Sequence, residues 1–333
     1  MKQLVKKRIM GLWHQDSKGV SLGGLILLNV MLKAKALMQD GIVGGICFIC
    51  NDFEEAGDYI AEMPKKDCEQ SNILSTLLSF NEINTCYKVQ SINVIEKIMQ
   101  DDTELEFFPP LYLIKPETSS QNIYESTMFL QQFFMEHQYI PYFKMKPEAV
   151  RGAIEIFDKY VAPSLPVVVH LKNNPSQANC SNARFKEWEK FIRMRIDTDD
   201  IKFILIGNEE VDKRIAELPN VIVTKYLGTT LAQELALVET AYAFMGMSSG
   251  PCNAAICSNI PYVIYKNPGH HTEAMDLELG DKECFNFASP HQKLLRIFET
   301  SDNLSANFNN ILSNCSREAW NSRVSFAFQG FRC

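Results

Sequence analysis

The residues best placed to do chemistry in this chain of 333 residues lie in the run Phe244-Met245-Gly246-Met247-Ser248-Ser249-Gly250-Pro251-Cys252-Asn253-Ala254-Ala255. The run reads as a strand end, a turn of small residues, and a helix with Pro251 at its first position, where a missing N–H costs nothing. Such a turn offers backbone N–H groups and the hydroxyls of Ser248 and Ser249 to an anion, and a helix start adds a favourable dipole. Gly246 and Gly250 would let the main chain approach a ligand without a Cβ in the way. An ordinary βα turn with a serine cap has the same pattern. A second candidate is His170-Leu171-Lys172-Asn173-Asn174-Pro175. Lys172 suits a phosphate as a point charge, and Asn173 and Asn174 suit hydroxyl groups. Arg184 can reach the same phosphates from a following helix. Gly207-Asn208-Glu209-Glu210 is a further post-strand loop, although Glu209 and Glu210 also fit the first turn of a helix.

Metal and redox chemistry are disfavoured by spacing. Cys47-Phe-Ile-Cys50 sits in an apolar, strand-like run, where positions three apart point to opposite faces. His270 and His271 are adjacent rather than one helical turn apart, and no D-x-D pair occupies a matching loop; Asp199-Asp200 reads as a turn. The 10 cysteines show no framework spacing, so a reduced compartment is expected. Lys plus Arg number 33 against 40 Asp plus Glu, a net charge of −7, which argues against a nucleic-acid partner but leaves room for one small phosphorylated ligand. Sixteen Gly and 14 Pro with 46% hydrophobic residues describe a globular chain with enough apolar material for two cores.

These residues need elements that bring them to one edge. Short apolar runs alternate with helical patterns, the mark of parallel α/β layers. In the first half the expected strands are Ile9–Trp13, Ile46–Ile49, Thr85–Val89 and Leu111–Ile114, with helices over Leu22–Met38, Ser71–Ser79, Val94–Gln100 and Gln121–Phe134. In the second half the expected strands are Pro166–Leu171, Ile201–Ile206, Val221–Thr224, Ala241–Gly246, Tyr262–Tyr265 and Cys284–Phe287. Phe185, Trp188, Ile192 and Arg195 recur at helical spacing, with Trp188 and Ile192 facing the sheet. Asn208 is expected to cap a helix, and Thr230 with Gln233 has the spacing of a capping box. Two Rossmann-like domains follow, residues 1–162 and 163–314, joined near Pro163–Pro166 and followed by a helical tail over 315–333. Open sheets of this kind bind ligands at the C-terminal ends of their strands, in a cleft between the two domains.

From Asn220 onward the chain resembles a known family. Leu227-Gly228-Thr229-Thr230-Leu231, Ser249-Gly250-Pro251 and Ala254-Ala255 are similar to the donor-domain segment of the ADP-heptose–lipopolysaccharide heptosyltransferases, which have a two-domain glycosyltransferase fold (GT-B). Ser248 stands where that family has Asp, and Asn253 where it has His. Ser21-Leu22-Gly23-Gly24 resembles the family's S-L-G-D loop, with Gly24 at the Asp used as acceptor-activating base. The His170–Pro175 loop also resembles the post-strand loop of fucosyltransferases of the same architecture, which implies a guanine nucleotide sugar.

The resemblance implies a glycosyltransferase moving a sugar from a nucleotide-sugar donor to a glycan or glycolipid acceptor, with inversion and without metal or cofactor. Such a transfer needs a base for the acceptor hydroxyl and cationic or N–H groups for the departing diphosphate. Asp16 and His14 are the base candidates. The donor set is His170, Lys172, Asn173, Gly207, Tyr226, Leu227, Gly246, Ser248, Ser249, Gly250, Asn253 and Glu273. Within it, Tyr226 and Leu227 flank a nucleobase and Glu273 holds ribose hydroxyls. A nucleotide-sugar epimerase or hydrolase of the same fold is the alternative reaction, and a nucleotide-binding protein with a decayed site the alternative class. The basic start Met1–Arg8 runs into His14, Gln15, Asp16 and Lys18 and is not expected to be a signal peptide. Leu22–Leu32 falls short of the ~20 residues that cross a bilayer. The expected location is cytoplasmic, with the Lys/Arg cluster able to touch an anionic membrane surface.

Overall fold

The computed structural model describes residues 6–14, 20–49, 60–62, 72–114, 124, 126–174, 181–197 and 200–329. The chain divides into two compact units, Met1–Lys144 and Met145–Cys333.

The first unit runs β1 (Arg8–His14), α1 (Leu22–Met38), β2 (Ile42–Ile49), β3 (Ile60–Glu62), α2 (Asn72–Leu77), β4 (Cys86–Val89), α3 (Ile92–Asp101), β5 (Leu105–Phe108), α4 (Leu111–Ile114) and α5 (Met128–His137). Its five-stranded sheet has the order β3-β4-β2-β1-β5. All pairs are parallel except β3 with β4, an antiparallel edge. α1 is buried on nearly every side, from Gly23 to Ala36, because Leu25, Ile26, Leu27, Leu28, Val30, Met31 and Leu32 leave no polar stripe. Ser21 caps it by accepting the Gly24 N–H at 3.2 Å.

The second unit runs α6 (Pro147–Ile156), a π-helical turn (Phe157–Val161), β6 (Leu165–His170), α7 (Phe185–Arg193), β7 (Ile201–Leu205), α8 (Lys213–Ala216), β8 (Val221–Val223), α9 (Thr224–Leu227), α10 (Leu231–Thr240), β9 (Ala243–Met247), α11 (Cys252–Ile256), β10 (Tyr262–Tyr265), α12 (Thr272–Glu278), β11 (Gln292–Leu295), α13 (Ser301–Asn314) and α14 (Arg317–Gln329). Its six-stranded sheet, ordered β11-β10-β9-β6-β7-β8, is parallel throughout. Strands covered on both faces are apolar end to end, as in Pro166-Val167-Val168-Val169. Trp188, Phe191, Phe203 and Phe308 pack edge-on and tilted in the core between α7, α13 and the sheet. Trp188 and Ile192 face inward as their spacing requires.

Several expected elements differ. Leu111–Ile114 is a short helix, and the strand beside β1 is Leu105–Phe108. Pro109 and Pro110 end that strand, and Leu113 N–H returns to the Pro110 carbonyl at 2.9 Å. The last strand is Gln292–Leu295, not Cys284–Phe287. Gln292 anchors it by donating to the carbonyls of Ser258 and Ile260 at 2.8 and 2.9 Å, while Phe285 and Phe287 stack in a loop. Asn208 caps no helix; Asp212 does so for α8, accepting the Arg214 N–H at 3.0 Å. The helix expected over Gln121–Phe134 runs Met128–His137, and residues 121–123 lie outside the described set. The units divide at Lys144–Met145, ahead of α6, which packs on α10 of the second unit; Glu239 of α10 accepts the Met145 N–H at 2.8 Å. Among the described residues no helix is long and apolar enough to cross a membrane.

Candidate active site

In a parallel sheet every strand ends on the same edge, so the loops after β6, β7, β9 and β10 share it. β9 lies between β6 and β10, with His170 opposite Gly246 and Tyr265 opposite Met247. The turn after β9 therefore sits between the ends of its two neighbours.

His170 closes β6 and is 3% exposed. Its Nδ1 lies 2.9 Å from Ser249 Oγ, and its Nε2 lies 3.3 Å from Glu209 Oε1. Burial would raise the Glu209 carboxyl, but hydrogen bonding and charge from His170, with help from Lys172, hold it below the usual carboxylate range. Gly207 makes the approach possible. Its φ of +107° suits glycine, and a Cβ there would stand 2.4 Å from Glu209 Oε2 and 2.9 Å from His170 Nε2. Its N–H donates to Glu234 Oε2 at 3.1 Å, and the other carboxylate oxygen of Glu234 accepts from Thr229 Oγ1 at 3.1 Å.

Lys266 follows β10 and is 6% exposed, with Nζ 3.3 Å from Ser248 Oγ. The Ser248 N–H donates to the Tyr265 carbonyl at 2.9 Å, which ties the turn to β10. His270 and His271 stack at 3.9 Å. Partial burial, then the charges of His271, Lys266 and Lys172, pull His270 down to about 4. His271, Lys266 and Lys172 thus all act on His270 at this sheet edge, which gathers two lysines in an acidic chain.

The helix-start argument changes. α11 has 5 residues, so little dipole accumulates along it, and Pro251 is at its cap. The N–H groups of Cys252, Asn253 and Ala254 are used within the turn, donating to Ser249, Gly250 and Pro251 carbonyls at 3.2, 3.2 and 3.1 Å. The Ser249 N–H donates to Cys252 Sγ at 3.3 Å, and burial pushes that thiol up to about 11. Gly246 also has another role: a Cβ there would lie 2.5 Å from the His170 carbonyl, so it serves close strand packing.

Of the other donor candidates, Asn173 donates to the Glu210 carbonyl at 3.1 Å, joining the loops after β6 and β7. Tyr226 is 68% exposed on α9, beside the exposed Leu227 and a left-handed Gly228. Glu273 lies exposed in the first turn of α12. Asn253 sits on α11, where its Oδ1 is 3.8 Å from Cys252 Sγ. Arg184 is committed elsewhere: its N–H donates to Glu299 at 2.5 Å and its guanidinium lies over Phe298.

In the first unit His14 is buried at the end of β1, its N–H donating to the Tyr124 hydroxyl at 3.3 Å. Trp13 stacks on Tyr124 at 4.1 Å. Asp16 lies outside the described residues. The pairs His170–Glu209 and Ser248–Lys266 were not visible in sequence, because each joins the ends of different strands. The position of Lys266 directly after an apolar strand was its one available signal.

No family model matches the chain, and no curated protein sequence matches it. Solved structures do. The glycosyl transferase family 9 protein from Veillonella parvula superposes with a TM-score of 0.51 at 11% identity, over 95% of this chain and 92% of that one. The E. coli ADP-heptose lipopolysaccharide heptosyltransferase II gives 0.53 at 10%, over 92% and 98%. E. coli heptosyltransferase WaaC with ADP gives 0.52 at 10%, over 91% and 99%. At such identities the likeness is one of fold, and the chain has the two-unit α/β, GT-B-type fold of these glycosyltransferases.

Proposed function

We propose that this chain is a metal-independent, inverting glycosyltransferase that moves a sugar from a nucleotide-sugar donor to a glycan or glycolipid acceptor. The observation that carries the reading is the set His170, Lys172, Ser248, Ser249 and Lys266 at the C-terminal edge of the second sheet. A nucleotide sugar carries two negative charges on its diphosphate, and more charge develops on the leaving oxygen as the anomeric bond breaks. Cations fixed beforehand at that point stabilise the transition state more than the ground state. Tyr226 offers an exposed ring on which a nucleobase stacks, and Glu273 a carboxylate for ribose hydroxyls. In the reaction the acceptor oxygen forms its bond to the anomeric carbon, the diphosphate leaves with the bonding pair, and a base takes the acceptor proton. His14 and Asp16 are the proposed bases. Lipopolysaccharide-type acceptors are one case of the glycolipid class, with the protein acting in the cytoplasm.

A thermal-shift series with ADP-, UDP-, GDP- and CMP-sugars tests the donor site, since a ligand that binds only the native state raises its stability. Ser249→Ala combined with Lys172→Ala is expected to weaken the best nucleotide sugar by about 10- to 100-fold in calorimetry, the loss of charge-assisted hydrogen bonds. Unchanged affinity in that double variant removes the donor assignment. Release of free nucleotide without acceptor would identify an epimerase or hydrolase instead.

A second reading is favoured by one feature. A Cβ at Gly24 would lie 2.7 Å from Trp13 Cη2, so an indole stands against the residue whose place in Ser21-Leu22-Gly23-Gly24 resembles that of the heptosyltransferases' base. A binding protein that retains nucleotide affinity without turnover fits that arrangement. Sugar transfer abolished by Asp16→Asn or His14→Ala rules it out.

A further inference from the structure

Phe298 keeps an apolar ring in water: it is 52% exposed, just past the end of β11. Its backbone is nonetheless fixed on both sides. The Phe298 carbonyl accepts from Asn303 Nδ2 at 3.0 Å, and the next residue, Glu299, is buried with its carboxylate accepting the Arg184 N–H at 2.5 Å. The Arg184 guanidinium donates to the Glu299 carbonyl at 3.4 Å and lies over the Phe298 ring, 5.7 Å from its centre. Glu187 in the first turn of α7 accepts the Ser301 N–H at 2.7 Å, so the starts of α7 and α13 hold each other. On the strand side, Arg296 pairs with Asp276 of α12 at 2.5 Å and donates to the Gly280 carbonyl at 3.4 Å. A ring fixed in advance loses little freedom when a ligand stacks on it.

Strand order sets this ring beside the donor site. Arg184 comes from the connection after β6 and Phe298 from the connection after β11, and the strands between those two are β9, followed by Ser248 and Ser249, and β10, followed by Lys266. β11 is two strands from β9, about 10 Å at ordinary sheet spacing, which one pyranose carried on a diphosphate spans. We propose that Phe298, backed by Arg184, is the stacking platform for the pyranose ring of the donor, a specificity-determining residue that takes the sugar through its C–H face. The inference rests on the donor-site reading and deepens it by giving the transferred sugar a residue of its own. A pyranose carries axial C–H groups on its faces and hydroxyls around its rim. Those hydrogens are slightly positive and meet the negative face of an aromatic ring, while the rim hydroxyls stay with water. Ile297 and Leu277, the neighbours of Arg296 and Asp276 in that ion pair, are exposed as well and add apolar surface to the same two connections. A nucleoside diphosphate without a sugar has nothing for this platform to hold, and that difference makes the role measurable.

The test is calorimetric titration of the full chain with ADP, UDP and GDP and with ADP-, UDP- and GDP-glucose. Phe298→Ala is expected to weaken the glucose conjugate that binds the wild type by about 3- to 10-fold, the worth of one aromatic contact, and to leave its parent diphosphate unchanged. Phe298→Trp keeps the affinity of the wild type for the conjugate. Phe298→Leu, apolar but without a ring, behaves as Phe298→Ala. Half of the side chain is in solvent, so none of these changes opens the core. Conjugate and diphosphate affinities that both stay at the wild-type value in Phe298→Ala, or that fall by the same factor, overturn the platform, as does wild-type affinity in Phe298→Leu. Diphosphates that bind the wild type when no glucose conjugate does overturn it too, and leave the nucleotide site standing. Failure of all six compounds to bind the wild type removes the donor reading and the platform together.

Discussion

Gly24 is where single atoms decide most. A Cβ there would meet Trp13 Cη2 at 2.7 Å, Ser21 Oγ at 2.8 Å and the Tyr124 carbonyl at 3.0 Å. Trp13 is fully buried and stacked on Tyr124, so it has no room to retreat. Gly24→Ala is expected to lose about 1–3 kcal/mol in urea unfolding, as overpacking does, and Gly24→Asp more, since a carboxylate would also enter an apolar site. Wild-type stability in both variants would show that the indole yields. At the same scale, the strand expected around Cys47 forms as part of β2 with Cys47 buried, while Cys50 lies outside the described residues.

Elements are held together by a few polar ties whose strength depends on pH. Glu106 on β5 pairs with Lys7, just before β1, at 2.5 Å and with Lys35 on α1 at 2.9 Å. Partial burial would raise its carboxyl, but the hydrogen bonds from Lys7 and Lys35 outweigh that and bring it down to about 2. A carboxyl lower in the folded than in the unfolded chain stabilises the fold above its ordinary value near 4.5. That contribution is lost as pH falls from there toward 2. Glu106→Gln is therefore expected to melt below wild type at pH 7 and to converge with it in acid; parallel melting curves across that range would contradict the tie. Local signals of this kind were readable. The capping box of α10 forms as its spacing required, with Thr230 accepting the Gln233 N–H at 3.2 Å and Gln233 accepting the Thr230 N–H at 2.9 Å. Leu111–Ile114 misled because four apolar residues fit either period, and the prolines before them decided the matter.

For the molecule as a whole, two cores and two sheets make two structural units, each with its own buried aromatics. The chain 145–333 alone is expected to unfold cooperatively in urea and to bind the best nucleotide sugar with the affinity of the full chain, because every member of the Ser248–Lys266 and Ser249–His170–Glu209 arrangement lies within it. A fragment that is unfolded, or folded but unable to bind, would show that the first unit is needed to form the site. The net charge of −7 conceals this local cationic edge, which is why composition alone spoke only against nucleic acid.

Alternation of apolar runs with amphipathic helices was enough to specify parallel α/β layers, since period and run length are local properties that burial on one or two faces imposes directly. The small-residue turn after β9, the His170 loop and their placement at strand ends followed from the same logic. What sequence spacing left open was which side chains meet. His170 and Ser249 are 79 positions apart, and Ser248 and Lys266 are 18 apart. Only the strand order, which sets β9 between β6 and β10, brings these hydroxyls to His170 and Lys266. The same packing closed the Gly24 position and reduced α11 to little more than one turn. Hydrogen bonds and buried charges depend on ångström distances between remote segments, and those distances exist only once the sheet has formed.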